Sequence, residues 1–362
     1  MGDGRREAFV AADTGWFDKD PERYLDSDRF VEFSRISGVD LRRLCEEDDA
    51  TVAQAQERLI RQSIILNEIQ KDHGGYAFPL FVYTQCPGLC EPVPEHNVEA
   101  DRAILRLDMT DSLRRRHIGL SFSLLPRAIS AVHAALNRPL CIHNLGSGIG
   151  LDLLRAATAL PRMLARVVNF DTNSEAIALG RRIAAHLRRN GSLGSVPVDY
   201  HAASLTGNHG RCDVAVMIGV ICGLPDRMAQ VLLRRVRRRI TPGGALVVSS
   251  SNSLMRSEDP LASFLIQHIG SRDDPRAGWG LNFRTEEGLR ALLERTGYAD
   301  IQIFDDANYP GRQDAEARLP DRVDTLPGKA KGVPVLSPIT LPETSVLARR
   351  RGYNWIALAR VE

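Results

Sequence analysis

Pro139-Leu-Cys-Ile-His-Asn-Leu-Gly-Ser-Gly-Ile-Gly-Leu151 and, a short helix later, Ala165-Arg-Val-Val-Asn-Phe-Asp-Thr-Asn173 decide the fold of this chain. Leu140, Cys141, Ile142 and Leu145 form an apolar run of strand length. Gly146, Gly148 and Gly150 then alternate with Ser147 and Ile149, and Leu151 to Leu160 takes up helical spacing. A strand that feeds a helix through glycines makes a nucleotide-type cradle. Residues without Cβ adopt positive φ and let a ligand lie on the main chain, while the helix start offers unpaired N–H donors. A second strand follows from Ala165 to Phe170. Asp171 stands at its end, about 20 residues past the loop, where a carboxylate can grip both hydroxyls of a ribose.

The spacing excludes one cofactor. A dinucleotide fingerprint needs its third glycine at the position occupied by Leu151. Further along, Arg211-Cys-Asp-Val-Ala-Val216 leads into Gly219-Val-Ile-Cys-Gly-Leu-Pro225, and Leu233-Arg-Arg-Val236 leads into Ile240-Thr-Pro-Gly-Gly-Ala-Leu-Val-Val248. Phe283-Arg-Thr-Glu-Glu-Gly-Leu289 runs on through Gly297-Tyr298. Together with Asn144-x-Gly146-x-Gly148-x-Gly150, these segments resemble, in order, the motifs of the class I S-adenosylmethionine (SAM) methyltransferases. The resemblance covers roughly residues 139 to 305 and the final strand. It implies an α/β, doubly wound, seven-stranded sheet whose last strand is antiparallel, with SAM as cofactor. It also implies a cofactor site of Asn144, Gly146, Ser147, Gly148, Gly150, Asp171, Thr172, Ser204, Leu205, Gly219 and Val220. Asn144 stands where the family usually has an acid, so its amide oxygen would accept from the ligand's ammonium. Ser204 or a neighbouring carbonyl would take the adenine contact usually made by an acid after the third strand.

Composition narrows the class. The 362 residues are 43% hydrophobic, enough for a sizeable core, and 47 Lys and Arg against 45 Asp and Glu leave a net charge of +2. Such a balance exerts no long-range pull on nucleic acid or membrane. The arginine clusters at 114–116 and 234–239 read as solvated helix faces. No apolar run is expected to approach the roughly 20 residues of a bilayer span, and no signal core follows the N-terminus, so a cytoplasmic location is expected. The six cysteines are scattered, as in reduced, buried usage.

Residues 1–138 read as a helical N-terminal domain, serving as a cap over the substrate or as a dimerisation surface, and a homodimer is compatible with it. Residues 139–362 read as the cofactor-binding domain, with a long insertion at 306–353. Asp40 caps a helix expected to run from Leu41 to about Ile69, and Pro126 is expected to split the helical stretch before Pro139. Cys86, Cys90 and His96 invite a metal reading, but no second ligand pair follows and a closed site needs four ligands, so no metal is expected.

A sulfonium needs a nucleophile held in line and water excluded, so a catalytic dyad is optional, and none stands out. Tyr24, Tyr76 and Tyr83 are candidates to face the sulfonium through cation–π contact. His201 is a candidate base and Cys222 a pocket residue. The expected activity is methyl transfer to a small molecule. Two rivals remain: transfer or cyclisation of SAM's 3-amino-3-carboxypropyl arm, as in nicotianamine synthases, which the helical preface faintly resembles, and a non-catalytic binding module.

Overall fold

The computed structural model describes residues 25–46, 48–71, 75–84, 90, 92–207, 209–269, 281–317 and 352–362. Its centre is one sheet in the order β3-β2-β1-β4-β5-β8-β7. The strands are β1 (Leu140–Leu145), β2 (Leu164–Asp171), β3 (Val198–Ala202), β4 (Cys212–Met217), β5 (Ile240–Asn252), β6 (Phe283–Arg284), β7 (Ala299–Asp305) and β8 (Asn354–Arg360). Strands β1 to β5 are parallel, and β8 runs antiparallel to both β5 and β7. This is the expected seven-strand path with its reversed last strand. The two-residue β6 is an addition, pairing with Ser251 and Asn252 because β5 runs on past Val248 to Asn252.

Parallel strands are buried on both faces, which is why Cys212–Met217 is buried at every position. One face is covered by the helices Leu125–Leu136, Leu151–Ala159 and Ser174–Arg189, the other by Asp226–Arg237 and Glu286–Arg295. A third cluster joins the N-terminal helices to Leu254–Glu258, Pro260–His268 and Tyr353. The helical roof over the strand ends is thus built from three parts of the chain, two of them lying beyond β5.

Two helix boundaries differ from expectation. The 41–69 stretch divides into a 3-10 turn, Leu41–Cys45, and the helices Asp49–Gln62 and Ile64–Lys71. Buried Asp101 causes the last break, accepting from Ser63 Oγ at 2.6 Å and from the amides of Ile64 and Ile65, so it caps a fresh helix start. Pro126 splits nothing. The chain from Asp108 to Leu136 is one helix of 29 residues. Leu120–Leu124 takes a π-helical turn, in which the Leu125 amide reaches back to Leu120, and proline follows in the first turn of the next segment. This helix is long enough and, in its most apolar window, apolar enough to cross a bilayer. Here it is largely buried against the sheet and the roof.

The arginines at 114–116 also correct the reading of a solvated face, since all three are buried. Arg115 Nε donates to Asp306 Oδ2 at 3.2 Å, and Asp306 Oδ1 accepts from Ser112 Oγ and the Asn354 amide. The second cluster lies on the outer helix Asp226–Arg237, with Arg234, Arg235 and Arg238 exposed. Of the 306–353 insertion, residues 306–317 carry a short helix, Arg312–Glu316, and 318–351 lie outside the described residues.

Candidate active site

Three consecutive turns of backbone shape the loop after β1. Gly146, Gly148 and Gly150 have φ of 64°, 51° and 72°. The Ser147 amide donates to the Phe170 carbonyl at 3.0 Å, which ties the loop to β2, and the Gly148 amide donates to Asp171 Oδ2 at 2.6 Å. The other Asp171 oxygen accepts from the Asn173 amide at 2.9 Å. Asp171 therefore fixes both the loop and the turn after β2. A Cβ on Gly150 would stand 2.5 Å from Asn169 Oδ1, whereas one on Gly148 would meet only Tyr76 Cβ at 3.4 Å. The face of Gly148 is open.

It opens into a cavity of about 510 Å³. The cavity brings together Gly146, Ser147, Gly148, Asp171, Thr172, Leu205, Gly219, Val220, Tyr76, Tyr83 and Cys222 of the expected site. The other expected residues do not reach it. Asn144 is buried beneath the loop, where its Nδ2 donates to Asn169 Oδ1 at 3.0 Å, so it holds the strands rather than a ligand's ammonium. Gly150 packs against that same pair. Ser204 is exposed, its Oγ bonded to Thr206 Oγ1 in a turn, and His201 is exposed with its ring stacked on Phe170. Neither lines the cavity, although their neighbours Ala203 and Leu205 do. Tyr24 and Cys86 lie outside the described residues. Of the remaining metal candidates, Cys90 Sγ approaches the Ala77 carbonyl and His96 Nε2 pairs with Asp101 at 2.9 Å.

The roof supplies what the sequence did not single out. Phe78, Met109, Leu113, Met255 and Leu281 form an apolar wall of the cavity. Arg116, Asp152 and Asn354 line the same cavity. Arg116 Nη1 donates to Asn354 Oδ1 at 3.0 Å and Nη2 to the Tyr83 hydroxyl at 3.1 Å. Burial works against its charge, but the Tyr83 hydroxyl and the Asp152 carboxylate outweigh it and raise its pKa. Tyr83 stacks on His117 with ring centroids 4.3 Å apart, so one face of this ring is covered. Arg155 Nη1 lies 2.8 Å from His117 Nε2 and can only donate, so neutral His117 carries its proton on Nδ1, 2.5 Å from Asp152 Oδ1. Burial lowers the His117 pKa and keeps the ring neutral. Burial would raise the Asp152 carboxyl, but His117, Arg116 and Arg155 together hold it below the ordinary range. Three arginines in a row were the available signal. At about 100° per residue they span more than half of a helix, so a helix flanked by Leu113 and Ile118 cannot expose all of them.

Residues 117–303 match the family model described as a methyltransferase domain. The chain belongs to this family. As a SAM-dependent methyltransferase it keeps the family's sheet, and a solved structure of a possible exported protein from Bordetella parapertussis supports that fold. It aligns over 94% of this chain and 99% of its own at 18% identity, with a TM-score of 0.55. Weaker likenesses include human N-acetylserotonin methyltransferase in complex with SAM (TM-score 0.39, 15% identity, 71% of this chain and 57% of that one). Magnesium protoporphyrin IX methyltransferase from Synechocystis PCC 6803, with bound S-adenosylhomocysteine, is another (TM-score 0.40, 12% identity, 71% and 86%). No curated protein sequence matches the chain.

The cavity of this methyltransferase fits its cofactor, SAM. The Gly148 face is free, and a Cβ on Gly219 would have no atom nearer than Arg116 Nη2 at 4.0 Å, so main chain from both the β1 and β4 loops is accessible to a ligand. No phosphate is present in SAM, and among the described residues no Lys lines the cavity.

Proposed function

We propose that the methyl acceptor is a small molecule, and that it sits between the glycine loop and the apolar wall. The observation behind this reading is the continuity of one cavity from Gly148 and Asp171 to Phe78, Met109, Leu113, Met255 and Leu281. SAM supplies an electrophilic methyl group on a sulfonium. The residues that would hold its adenosyl part are Gly146, Ser147 and Gly148 under the chain and Asp171 at the ribose, with Leu205 and Val220 beside the base. Tyr76, whose Cβ borders the open face of Gly148 and whose side chain lines the cavity, would stand over the sulfonium. The apolar wall excludes water and orients the acceptor, and such positioning contributes several kcal/mol to a displacement. Cys222 lines the cavity, but burial raises its thiol pKa, so it serves as a wall residue and not as a thiolate. The overall positive charge is small and one wall of the cavity is apolar, which favours a compact acceptor over nucleic acid.

The test is incubation with methyl-labelled SAM and a small-molecule extract, followed by identification of the nucleoside by-product and the labelled compound. S-adenosylhomocysteine and a labelled small molecule are expected. Methylthioadenosine would mean that the other SAM carbon is attacked, and methyl transfer would be rejected.

A further inference from the structure

Arg116 is a buried cation in direct contact with no anion among the described residues, although Asp152 supports its charge from a distance. Its two neighbours in the same run are paired, Arg114 with Asp111 at 3.4 Å and Arg115 with Asp306 at 3.2 Å, but among the described residues Arg116 bonds only the neutral oxygens of Tyr83 and Asn354, and its Nε has no hydrogen-bond partner. A buried charge held by neutral groups alone is costly, and a ligand's anion would offset that cost. Asp152 is the complementary case. It is ionised, and only Oδ1 is engaged, by a neutral imidazole. The two side chains line the same cavity beside the glycine loop, close enough for each to stabilise the other's charge, yet they form no direct ion pair.

We propose that Arg116 and Asp152 clamp the α-amino-acid end of a ligand, its carboxylate on Arg116 and its ammonium on Asp152. A gap between a fixed cation and a fixed anion is the complement of a zwitterion. The guanidinium fork adds the planar, two-point geometry that a carboxylate accepts. The clamp also accounts for the amide at Asn144, because the acid that meets the ammonium is supplied from the first turn of the next helix instead. Two ligands present this chemistry: the methionyl end of SAM, and an acceptor that is itself an amino acid. The inference rests on the reading that the adenosyl group lies along the glycine loop.

Calorimetric titration of the wild type, Arg116→Gln and Asp152→Asn decides it. Both substitutions keep neutral hydrogen-bonding groups toward Tyr83, Asn354 and His117. SAM and 5′-methylthioadenosine, which lacks the amino-acid end, are the first pair of probes. L-norleucine, added to protein saturated with S-adenosylhomocysteine, is the second arm. If the cofactor's end occupies the clamp, each variant loses about tenfold or more in SAM affinity while methylthioadenosine binds as before. If the acceptor occupies it, SAM affinity holds and norleucine binding, present in the wild type, disappears in both variants. Unchanged binding of every probe overturns the proposal, as does an equal loss for SAM and methylthioadenosine, which would make the pair merely structural. A wild type that binds no adenosyl ligand would instead refute the cofactor reading. The norleucine arm, run without nucleoside, would then still decide the clamp.

Discussion

Gly150→Ala and Gly148→Ala look alike in sequence and differ sharply in the structure. Both glycines have left-handed φ, so a Cβ costs about 1 kcal/mol at either position. At Gly150 the added carbon lies 2.5 Å from Asn169 Oδ1, the atom that accepts from Asn144 Nδ2. Relieving the clash breaks that buried bond and leaves an amide donor unmatched, a further cost of about 2 kcal/mol. Gly150→Ala should therefore lose about 3 kcal/mol of stability and Gly148→Ala about 1 kcal/mol. Binding should rank the other way: a Cβ on Gly148 stands on the accessible face of the loop and weakens SAM, while Gly150 does not line the cavity. Urea unfolding read by fluorescence, alongside SAM titration of the folded variants, measures both quantities. The account also requires Asn169→Ala to relieve part of the Gly150→Ala penalty in the double variant. Equal stability losses in the two alanine variants would refute the reasoning.

Asp171→Ala removes the acceptor for the Gly148 and Asn173 amides and the carboxylate set for the ribose, and SAM affinity should fall about tenfold or more by calorimetry. His143 is buried in β1, and burial first, then nearby His209, Arg166 and Arg239, pushes its pKa down to about 4. The native state then binds fewer protons than the unfolded chain below the ordinary pKa near 6.5. Stability is complete above that pH and is lost as pH falls toward 4, by up to about 3 kcal/mol. His143→Gln should flatten this limb of the stability profile, and an unchanged profile would remove His143 as its source. Cys222→Ala should retain methyl transfer, and the wild-type thiol should react slowly with iodoacetamide at neutral pH because burial holds it protonated. Fast, activity-linked alkylation would contradict that.

Local pattern carried the floor of the site but not its roof. The run from Leu140 to Asp171 is legible because its strands, glycines and terminal acid are close in sequence and each follows a short period. The final strand was equally legible, and the structure places it at Asn354–Arg360. Arg116 was read as surface charge because its partners, Tyr83 and Asn354, are remote in the chain, and no window joins them. Asp152 was not singled out for the same reason, since His117 sits on another helix. Ser204 and His201 were placed by register, which does not say that β3 ends at an exposed edge. Proline at 126 was read as a break because the rule assumes α-helical bonding throughout, and the π-helical turn changes which amide needs an acceptor.

The unbroken Asp108–Leu136 rod bears on engineering. Arg116 rides near its beginning, whereas Ile129 and Val132, farther along, are packed into the sheet. A seam at residue 138 would strip the sheet of that cover, so chimeras that graft a new roof onto this enzyme should join ahead of Asp108. A graft made there would exchange acceptor preference while keeping the arginine that the cavity needs.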